Sequence, residues 1–333
     1  MEGLAVMRIV CLLLPGLLWG EFATAAPRQT VLVVVGAAGE EEYQPLFKRW
    51  ADDWRTAAER ASAEFTVIGI GGKAKAADRD QVHEWLTAPH EDVDLAWLVL
   101  IGHGTFEGEV AKFNLRGPDF TAEELAEWAS SVKAPLAVIN CASASAPFIN
   151  RLSADRRVVI AATKSGSELN FARFGQYMAE AINDPQADLD KDEQTSLLEA
   201  YLTACRRVAE FYDGEKRLAT EHALLDDNGD GLGTPAAWFR GLRATQRAKE
   251  GAALDGVRAH QIHLVPSDRE ARLPAEVRRR RDELELEVAA LRDKRDALAE
   301  DEYYRRLEGL MVQLAQLYAS ADKPQDAAPP AAK

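Results

Sequence analysis

Residues 94–104 read DLAWLVLIGHG, an apolar run that stops abruptly at Gly102-His103-Gly104. A continuous apolar run bounded by glycine is typical of a strand that is buried on both faces of a parallel sheet. Residues 30–36, TVLVVVG, have the same character. Similar apolar runs predict three further strands, at residues 65–70, 134–140 and 157–163.

Segments with helical periodicity separate these strands. Residues 43–64 carry apolar side chains at helical spacing, and Thr121 with Glu124 has the pattern of a capping box. Strands that alternate with helices predict an α/β fold, a three-layer sandwich in which helices cover both faces of a mostly parallel sheet.

The composition excludes several classes of protein. The chain has 333 residues, 47% of them hydrophobic, with 54 acidic and 40 basic side chains and a net charge of -14. A disordered chain would be less apolar, and a nucleic-acid binder would be basic. The arginine run 278–281 is balanced by acidic residues after Asp282, so we interpret it as a solvated face and expect no nucleic-acid partner.

The first 25 residues have the pattern of a signal peptide. Arg8 precedes an apolar stretch at residues 9–19, and small residues follow at 23–25. The alternative, a retained membrane anchor, is disfavoured because the apolar run is too short for a typical span. We therefore expect export to the periplasm or the extracellular space, with no membrane span after cleavage.

The rest of the chain divides into four predicted parts. Residues 27–246 form the α/β domain, and residues 247–273 form a linker. Residues 274–320, with leucines at a/d spacing, form a helical hairpin or coiled coil for self-association or for binding a protein partner. Residues 321–333 form a disordered tail rich in alanine and proline.

His103 and Cys141 each follow directly after a predicted strand. If these strands are neighbours, about 5 Å separates them, and the imidazole and the thiol project from the same edge of the sheet. Such a pair suits acyl transfer, in which the thiolate attacks a carbonyl and the imidazole protonates the leaving amine.

The two motifs, residues 98–104 (LVLIGHG) and residues 137–143 (AVINCAS), resemble those of the caspase/legumain-like cysteine peptidases of clan CD. The resemblance covers roughly residues 30–185 and suggests an exported member of bacterial type. It implies a caspase-like fold, a protein or peptide substrate, and hydrolysis through a thioacyl intermediate without a required cofactor. His103 would be the general acid/base and Cys141 the nucleophile, with the N–H groups of Gly104 and Cys141 as the oxyanion hole. The substrate pocket would include Lys164, Ser165 and Glu168.

The sequence departs from this family next to the nucleophile. Ile139-Asn140 stand where caspases have Gln-Ala, so a preference for aspartate is not implied. A carboxylate two residues before the cysteine is also missing, so the asparagine preference of legumain cannot be transferred. Two alternatives remain open. The chain could be a catalytically silent binding or scaffold module, or Cys141 and Cys205 could form a disulfide.

Two acidic loops have the spacing of cation sites. The first has the ligand spacing of an EF-hand loop, except that Glu193 stands where the turn calls for glycine. We expect structural Ca²⁺ in this first loop from the side chains of Asp188, Asp190, Asp192, Gln194, Ser196 and Glu199. The second loop is an incomplete version, with Asp226, Asn228 and Asp230 as its candidate ligands.

His260 and His263 have a spacing that invites comparison with zinc sites. No cysteine or third histidine nearby in the sequence completes such a site. The sequence therefore favours a solvated loop at this position.

Overall fold

The computed structural model describes residues 26–72 and 76–321. The predicted signal peptide and residues 322–333 of the predicted tail lie outside the described residues. Within the described ranges, no helix has both the length and the apolar character needed to cross a membrane.

A seven-stranded sheet forms the centre of the molecule, and smaller sheets of three and two strands flank it. The strands are β1 (Gln29–Val35), β2 (Glu64–Ile68), β3 (Leu95–Ile101), β4 (Gly104–Glu107), β5 (Val110–Phe113), β6 (Phe120–Thr121), β7 (Leu136–Asn140), β8 (Arg157–Ala161), β9 (Leu224–Asp226), β10 (Thr234–Pro235), β11 (Phe239–Arg240) and β12 (Arg243–Ala244). The central sheet has the order β10-β9-β8-β7-β3-β1-β2. Its first five strands along the chain run parallel, and β9 and β10 add an antiparallel edge.

Helices cover both faces of this sheet. They are α1 (Tyr43–Arg60), α2 (Asp78–Thr87), α3 (Ala122–Ala129), α4 (Ala146–Leu152), α5 (Phe174–Ala181), α6 (Leu197–Gly214), α7 (Val257–Gln261), α8 (Asp268–Arg272), α9 (Ala275–Asp293) and α10 (Glu300–Ala321). Because side chains alternate along a strand, Val31 and Val33 of β1 pack in the core beneath α1, α5 and α6, whereas Leu32 faces the core of α2, α3 and α4. Each core is buried, which explains why these strands are apolar on both faces.

The predicted fold class is confirmed. A mostly parallel sheet lies between two helical layers and is followed by helices α9 and α10. All five predicted strands are present, and Thr121 with Glu124 forms the expected capping box. The small sheet β4-β5-β6, which begins immediately after His103, has no counterpart among the predicted elements.

Part of the predicted linker is packed onto the α/β domain. Gln29 donates from Nε2 to the carbonyl oxygens of His263 and Leu264, at 3.2 and 3.0 Å. The Asp227 carboxylate accepts from the N–H groups of Gly256 and Ala259, both at 2.8 Å. Side chains buried in the domain thus satisfy backbone groups of this segment and hold it in place.

Helices α9 and α10 pack as an antiparallel pair, in which Arg280 near the start of α9 donates to Gln313 in the second half of α10 at 3.1 Å. The prediction of a solvated arginine face is wrong for two of the four arginines. Arg278 and Arg281 are each only 8% exposed. Arg281 pairs with Glu270 at 2.5 Å, and this pairing joins α9 to α8.

Candidate active site

The strands that precede His103 and Cys141 are neighbours in the sheet. β3 and β7 pair in parallel, with Leu100 opposite Asn140. His103 and Cys141 therefore leave the same edge of the sheet, as the sequence predicts. Ile101 and Cys141 belong to the same core, beneath α1 and α5.

The His103 side chain is half-buried in a ring of aromatic residues. Its ring centroid lies 5.2 Å from that of Tyr43, 5.5 Å from that of Phe47 and 6.1 Å from that of Phe171. Nε2 lies 3.0 Å from the carbonyl oxygen of Ala38. Because a carbonyl only accepts, Nε2 carries the proton in this contact, and a neutral ring then has Nδ1 as its acceptor.

The Cys141 side chain points into the core and is 1% exposed. A Cβ atom added to Gly175 of α5 would lie 2.7 Å from the Cys141 Cβ and 2.8 Å from the Trp50 ring. The thiol is thus enclosed between α5 and α1. In the described part of the chain, no hydrogen bond joins Cys141 to His103.

The protonation of Cys141 follows from this burial. Burial raises the pKa of the Cys141 thiol far above its ordinary value, and the nearby charge of Glu221 raises it further. Since the thiolate is the nucleophile, the thiol is unreactive in this conformation.

The two N–H groups predicted to form the oxyanion hole are already paired inside the protein. Gly104 donates to Ser143 Oγ at 3.2 Å, and Cys141 donates to the carbonyl oxygen of Leu100 at 2.9 Å. Ser143 also donates from Oγ to the carbonyl oxygen of Gly104, at 3.2 Å. The predicted oxyanion hole is therefore not formed here. Ser143, which is not among the predicted site residues, occupies its place beside Gly104.

The predicted pocket loop lies next to the residues that follow Cys141. Ala144 donates its N–H to the carbonyl oxygen of Glu168 at 2.8 Å. The Glu168 carboxylate is occupied, because it accepts from the N–H of Lys164 at 2.9 Å and lies 2.5 Å from His222 Nδ1. Lys164 is exposed, and Ser165 bonds to the neighbouring Ser167 at 2.8 Å. The loop is thus at the predicted edge, but Glu168 is not free to bind a charged substrate.

The disulfide alternative is not supported. Cys141 and Cys205 are both free cysteines in the structure. Cys141 faces α1 and α5, and Cys205 lies within α6.

The first acidic loop brings some of its predicted ligands together. Carboxylate oxygens of Asp188, Asp190 and Asp192 lie within 4.8 Å of one another. Glu199 is not part of this group, because its carboxylate accepts from the N–H groups of Leu189 at 2.7 Å and Ser196 at 2.8 Å.

The other predicted ligands of this loop have structural partners. Ser196 and Glu199 form the capping box that begins α6. Gln194 accepts from the N–H of Ser267 at 3.0 Å. The residue at the glycine position, Glu193, has φ +75°, so it adopts the left-handed conformation that this turn requires. The calcium expectation thus rests on the three aspartates.

The second acidic loop is closed by its own backbone. Asp226 accepts from the N–H groups of Gly229 and Gly231, at 3.1 and 3.2 Å, and Asn228 accepts from Asp230 at 2.8 Å. These Asx-type turns account for most of its side-chain oxygens without a cation.

A buried carboxyl group, Asp255, adjoins this loop. It accepts from the N–H groups of Asp227 and Asn228 at 3.0 and 3.2 Å and from Thr234 Oγ1 at 2.5 Å. Burial, together with the charges of Asp227 and Asp226, raises the pKa of Asp255 to about 8.

We expect the stability of the protein to fall as the pH rises from about 5 to about 8, because the folded state holds a proton on Asp255 that the unfolded state releases. Asp255→Asn removes this titration. The melting temperature of this variant should therefore fall less than that of the wild type between about pH 5 and about pH 8. Circular dichroism melts at both pH values check this. Asp213→Asn, on the exposed side of α6, is the control and should behave as the wild type. If the melting temperatures of the wild type and Asp255→Asn fell equally, Asp255 would not be the group that holds the proton.

Comparisons with known proteins concern the fold alone. No protein-family model and no curated protein matches the sequence. Similar solved structures include caspase-1 from Spodoptera frugiperda, with 9% identity and a TM-score of 0.41, where the alignment covers 61% of this chain and 87% of that chain. The Drosophila initiator caspase Dronc aligns with 13% identity and a TM-score of 0.44, over 69% of this chain and 96% of that chain. At these levels of similarity the comparison assigns no residue role, activity or partner to this chain.

Proposed function

We propose that this chain is a non-catalytic binding module that holds a polypeptide partner at the carboxyl edge of its sheet. The observation that carries the proposal is the position of Cys141, whose side chain is 1% exposed and packs against Trp50 and Gly175. A substrate carbonyl cannot reach a sulfur atom in this position. Buried cysteines of this kind are generally inert.

The backbone around Cys141 supports the same conclusion. An oxyanion hole needs N–H groups that point at the developing charge. Here Gly104 donates to Ser143, and Cys141 continues the hydrogen bonding of the sheet. Catalysis would require both a different Cys141 rotamer and the loss of two internal hydrogen bonds.

The same edge carries apolar groups that suit a polypeptide. Tyr43 and Phe171 stack with their centroids 4.5 Å apart, beside His103. Phe106 is 37% exposed, and Leu169 is 58% exposed. Aromatic side chains are enriched at protein interfaces because they bury a large area at a low entropic cost.

Capture of peptides from a random library tests this proposal. We expect immobilised protein to retain a subset of peptides that mass spectrometry finds intact, and Tyr43→Ala to reduce their capture. Met311→Ala, at an exposed apolar position on α10, is the matched control and should capture peptides normally. If Met311→Ala loses capture and Tyr43→Ala keeps it, the partner binds at the helical hairpin instead.

A second candidate is the cysteine-type endopeptidase, favoured by the placement of His103 and Cys141 at the ends of adjacent parallel strands. The contact from His103 Nε2 to Ala38 orients the ring and leaves Nδ1 as the base. In this mechanism Nδ1 takes the thiol proton and the sulfur attacks the peptide carbonyl. The imidazolium then protonates the leaving amine, and water hydrolyses the thioester. The mechanism requires Cys141 to turn out of the core before any of these steps.

A further inference from the structure

A cavity of about 640 Å³ lies where helices α9 and α10 face the α/β domain. Side chains of the two helices form one side of it, and residues 242–244 and 253–258 form much of the other. Small-molecule sites in proteins usually measure about 300–1,000 Å³. The predicted linker and the predicted helical hairpin thus help to enclose a space of the size that small molecules occupy.

This cavity is remote from the candidate active site. Arg258, which lines the cavity, pairs with Asp155 at 2.9 Å, and Asp155 precedes the first residue of β8. The start of this parallel strand marks the amino edge of the sheet, whereas His103 and Cys141 lie at the carboxyl edge. A ligand in the cavity and a polypeptide at the carboxyl edge would therefore occupy separate sites.

The interior of the cavity is largely apolar. Its lining includes six large aliphatic side chains that all keep part of their surface exposed: Leu242, Leu254, Val257, Leu286, Met311 and Leu314. Removal of such surface from water is the main source of free energy when an apolar ligand binds. An alkyl chain suits this lining because it has no polar groups that would need hydrogen-bond partners.

The carboxyl groups that line the cavity have partners inside the protein. Four of them accept hydrogen bonds from other residues of the chain: Asp227, Asp255, Glu285 and Asp293. Gln261 donates from Nε2 to Glu285 at 3.0 Å, and Arg247 pairs with Asp293 at 3.3 Å. These acidic groups are thus already engaged and do not require a cationic ligand.

Two guanidinium groups at the cavity are not engaged in this way. Arg243 of β12 and Arg292 near the end of α9 both line the cavity and are exposed. Within the described part of the chain, neither side chain makes a hydrogen bond or an ion pair. Guanidinium groups bind carboxylates in a bidentate geometry. The charge of the cavity therefore favours an anionic ligand.

The wall formed by residues 253–258 is held from two sides. Asn228 donates from Nδ2 to the carbonyl oxygen of Ala253 at 2.8 Å. Leu254 donates its N–H to the carboxylate of Asp293, on α9, at 3.3 Å. Because these contacts fix the wall before a ligand arrives, binding loses little conformational entropy.

We propose that this cavity binds the anion of a long-chain fatty acid, with the alkyl chain in the apolar interior and the carboxylate at Arg243 and Arg292. The ligand combines the two properties that the lining selects, an extended apolar chain and one negative charge. A cationic amphiphile with the same alkyl chain has the first property and is repelled by the two guanidinium groups.

Isothermal titration calorimetry of the full chain with dodecanoate, below its micelle concentration, tests the proposal. We expect one dodecanoate per chain, and at least about tenfold weaker binding of dodecyltrimethylammonium. The double variant Arg243→Gln/Arg292→Gln should bind dodecanoate at least about tenfold more weakly. Arg305→Gln, at an exposed arginine on α10, is the matched control and should bind as the wild type does.

A variant that fills the cavity tests the position of the alkyl chain. Ala290 lines the cavity from α9 and is exposed, so Ala290→Phe should fold normally and abolish dodecanoate binding. Ala319→Phe, at an exposed position on α10 outside the cavity, is the control.

Four results would overturn the proposal. They are the absence of dodecanoate binding, equal affinity for dodecyltrimethylammonium, and wild-type affinity in either Ala290→Phe or the double arginine variant. If dodecanoate does not bind and the chain forms a dimer that Ala290→Phe dissociates, a second copy of the chain covers the cavity instead.

Discussion

We expect iodoacetamide to label Cys141 in the folded protein at least about 100-fold more slowly than it labels free cysteine near pH 7. The reason is twofold, since the thiol is 1% exposed and burial raises its pKa, so that both access and the thiolate fraction are small. Mass spectrometry of the tryptic peptides separates the labelling of Cys141 from that of Cys205. In denaturant both cysteines should react at the rate of free cysteine.

The His103→Ala variant is the control for this experiment. His103 makes no hydrogen bond to Cys141 among the described residues, and its Nε2 is engaged by Ala38. Its removal should therefore leave the labelling rate of Cys141 unchanged within about twofold. Rapid labelling of Cys141 in the wild type that slows in His103→Ala would instead reveal an activated pair.

The Arg281→Ala variant should lose about 3–5 kcal/mol of unfolding free energy. The Arg281 and Glu270 side chains are each only 10% exposed and lie 2.5 Å apart, so the substitution leaves a buried carboxylate without its main partner. Urea unfolding measures the loss.

Arg279→Ala is the matched control, two residues earlier on the same helix. Its side chain is 68% exposed and pairs with Glu276 in solvent, so the expected change is within about 0.5 kcal/mol. Equal losses in the two variants would show that the ion pair of Arg281 and Glu270 does not stabilise the docking of α9.

The sequence predicted the sheet well because its strands are buried on both faces. Val31 to Val35 and Leu95 to Ile101 form uninterrupted apolar runs that only a covered parallel sheet satisfies. The two strand ends that carry His103 and Cys141 followed from the same pattern. The pattern of apolar residues does not itself specify which strands are neighbours, and the structure shows that β3 and β7 pair directly.

The environment of the two residues could not be predicted in this way. Cys141 is buried because Gly175, which lies 34 positions further along the chain, lets α5 approach closely. Ser143 engages the N–H of Gly104 across the sheet edge. Such contacts depend on how helices and loops pack on the sheet, and no local pattern of the sequence records them.

In the first acidic loop, the spacing of residues predicted part of the structure correctly and part of it wrongly. The EF-hand spacing correctly placed Asp188 and Asp190 together, because alternate side chains of a tight loop converge. The same spacing assigned Ser196 and Glu199 to a cation, whereas a capping box uses the same residue types at the start of α6. The contact of His260 Nε2 with Asp190 Oδ2, at 3.1 Å, depends on a β-bridge between distant segments and has no local signal.

Cleavage of a diverse peptide library by the purified protein, with and without Ca²⁺, tests whether Cys141 is catalytic. Mass spectrometry counts the new peptide termini for the wild type and for Cys141→Ala side by side. We predict that the two proteins give the same background, because Cys141 lies beneath Trp50 and Gly175 and cannot reach a substrate. Cleavage by the wild type that disappears in both Cys141→Ala and His103→Ala would instead establish the chain as a peptidase.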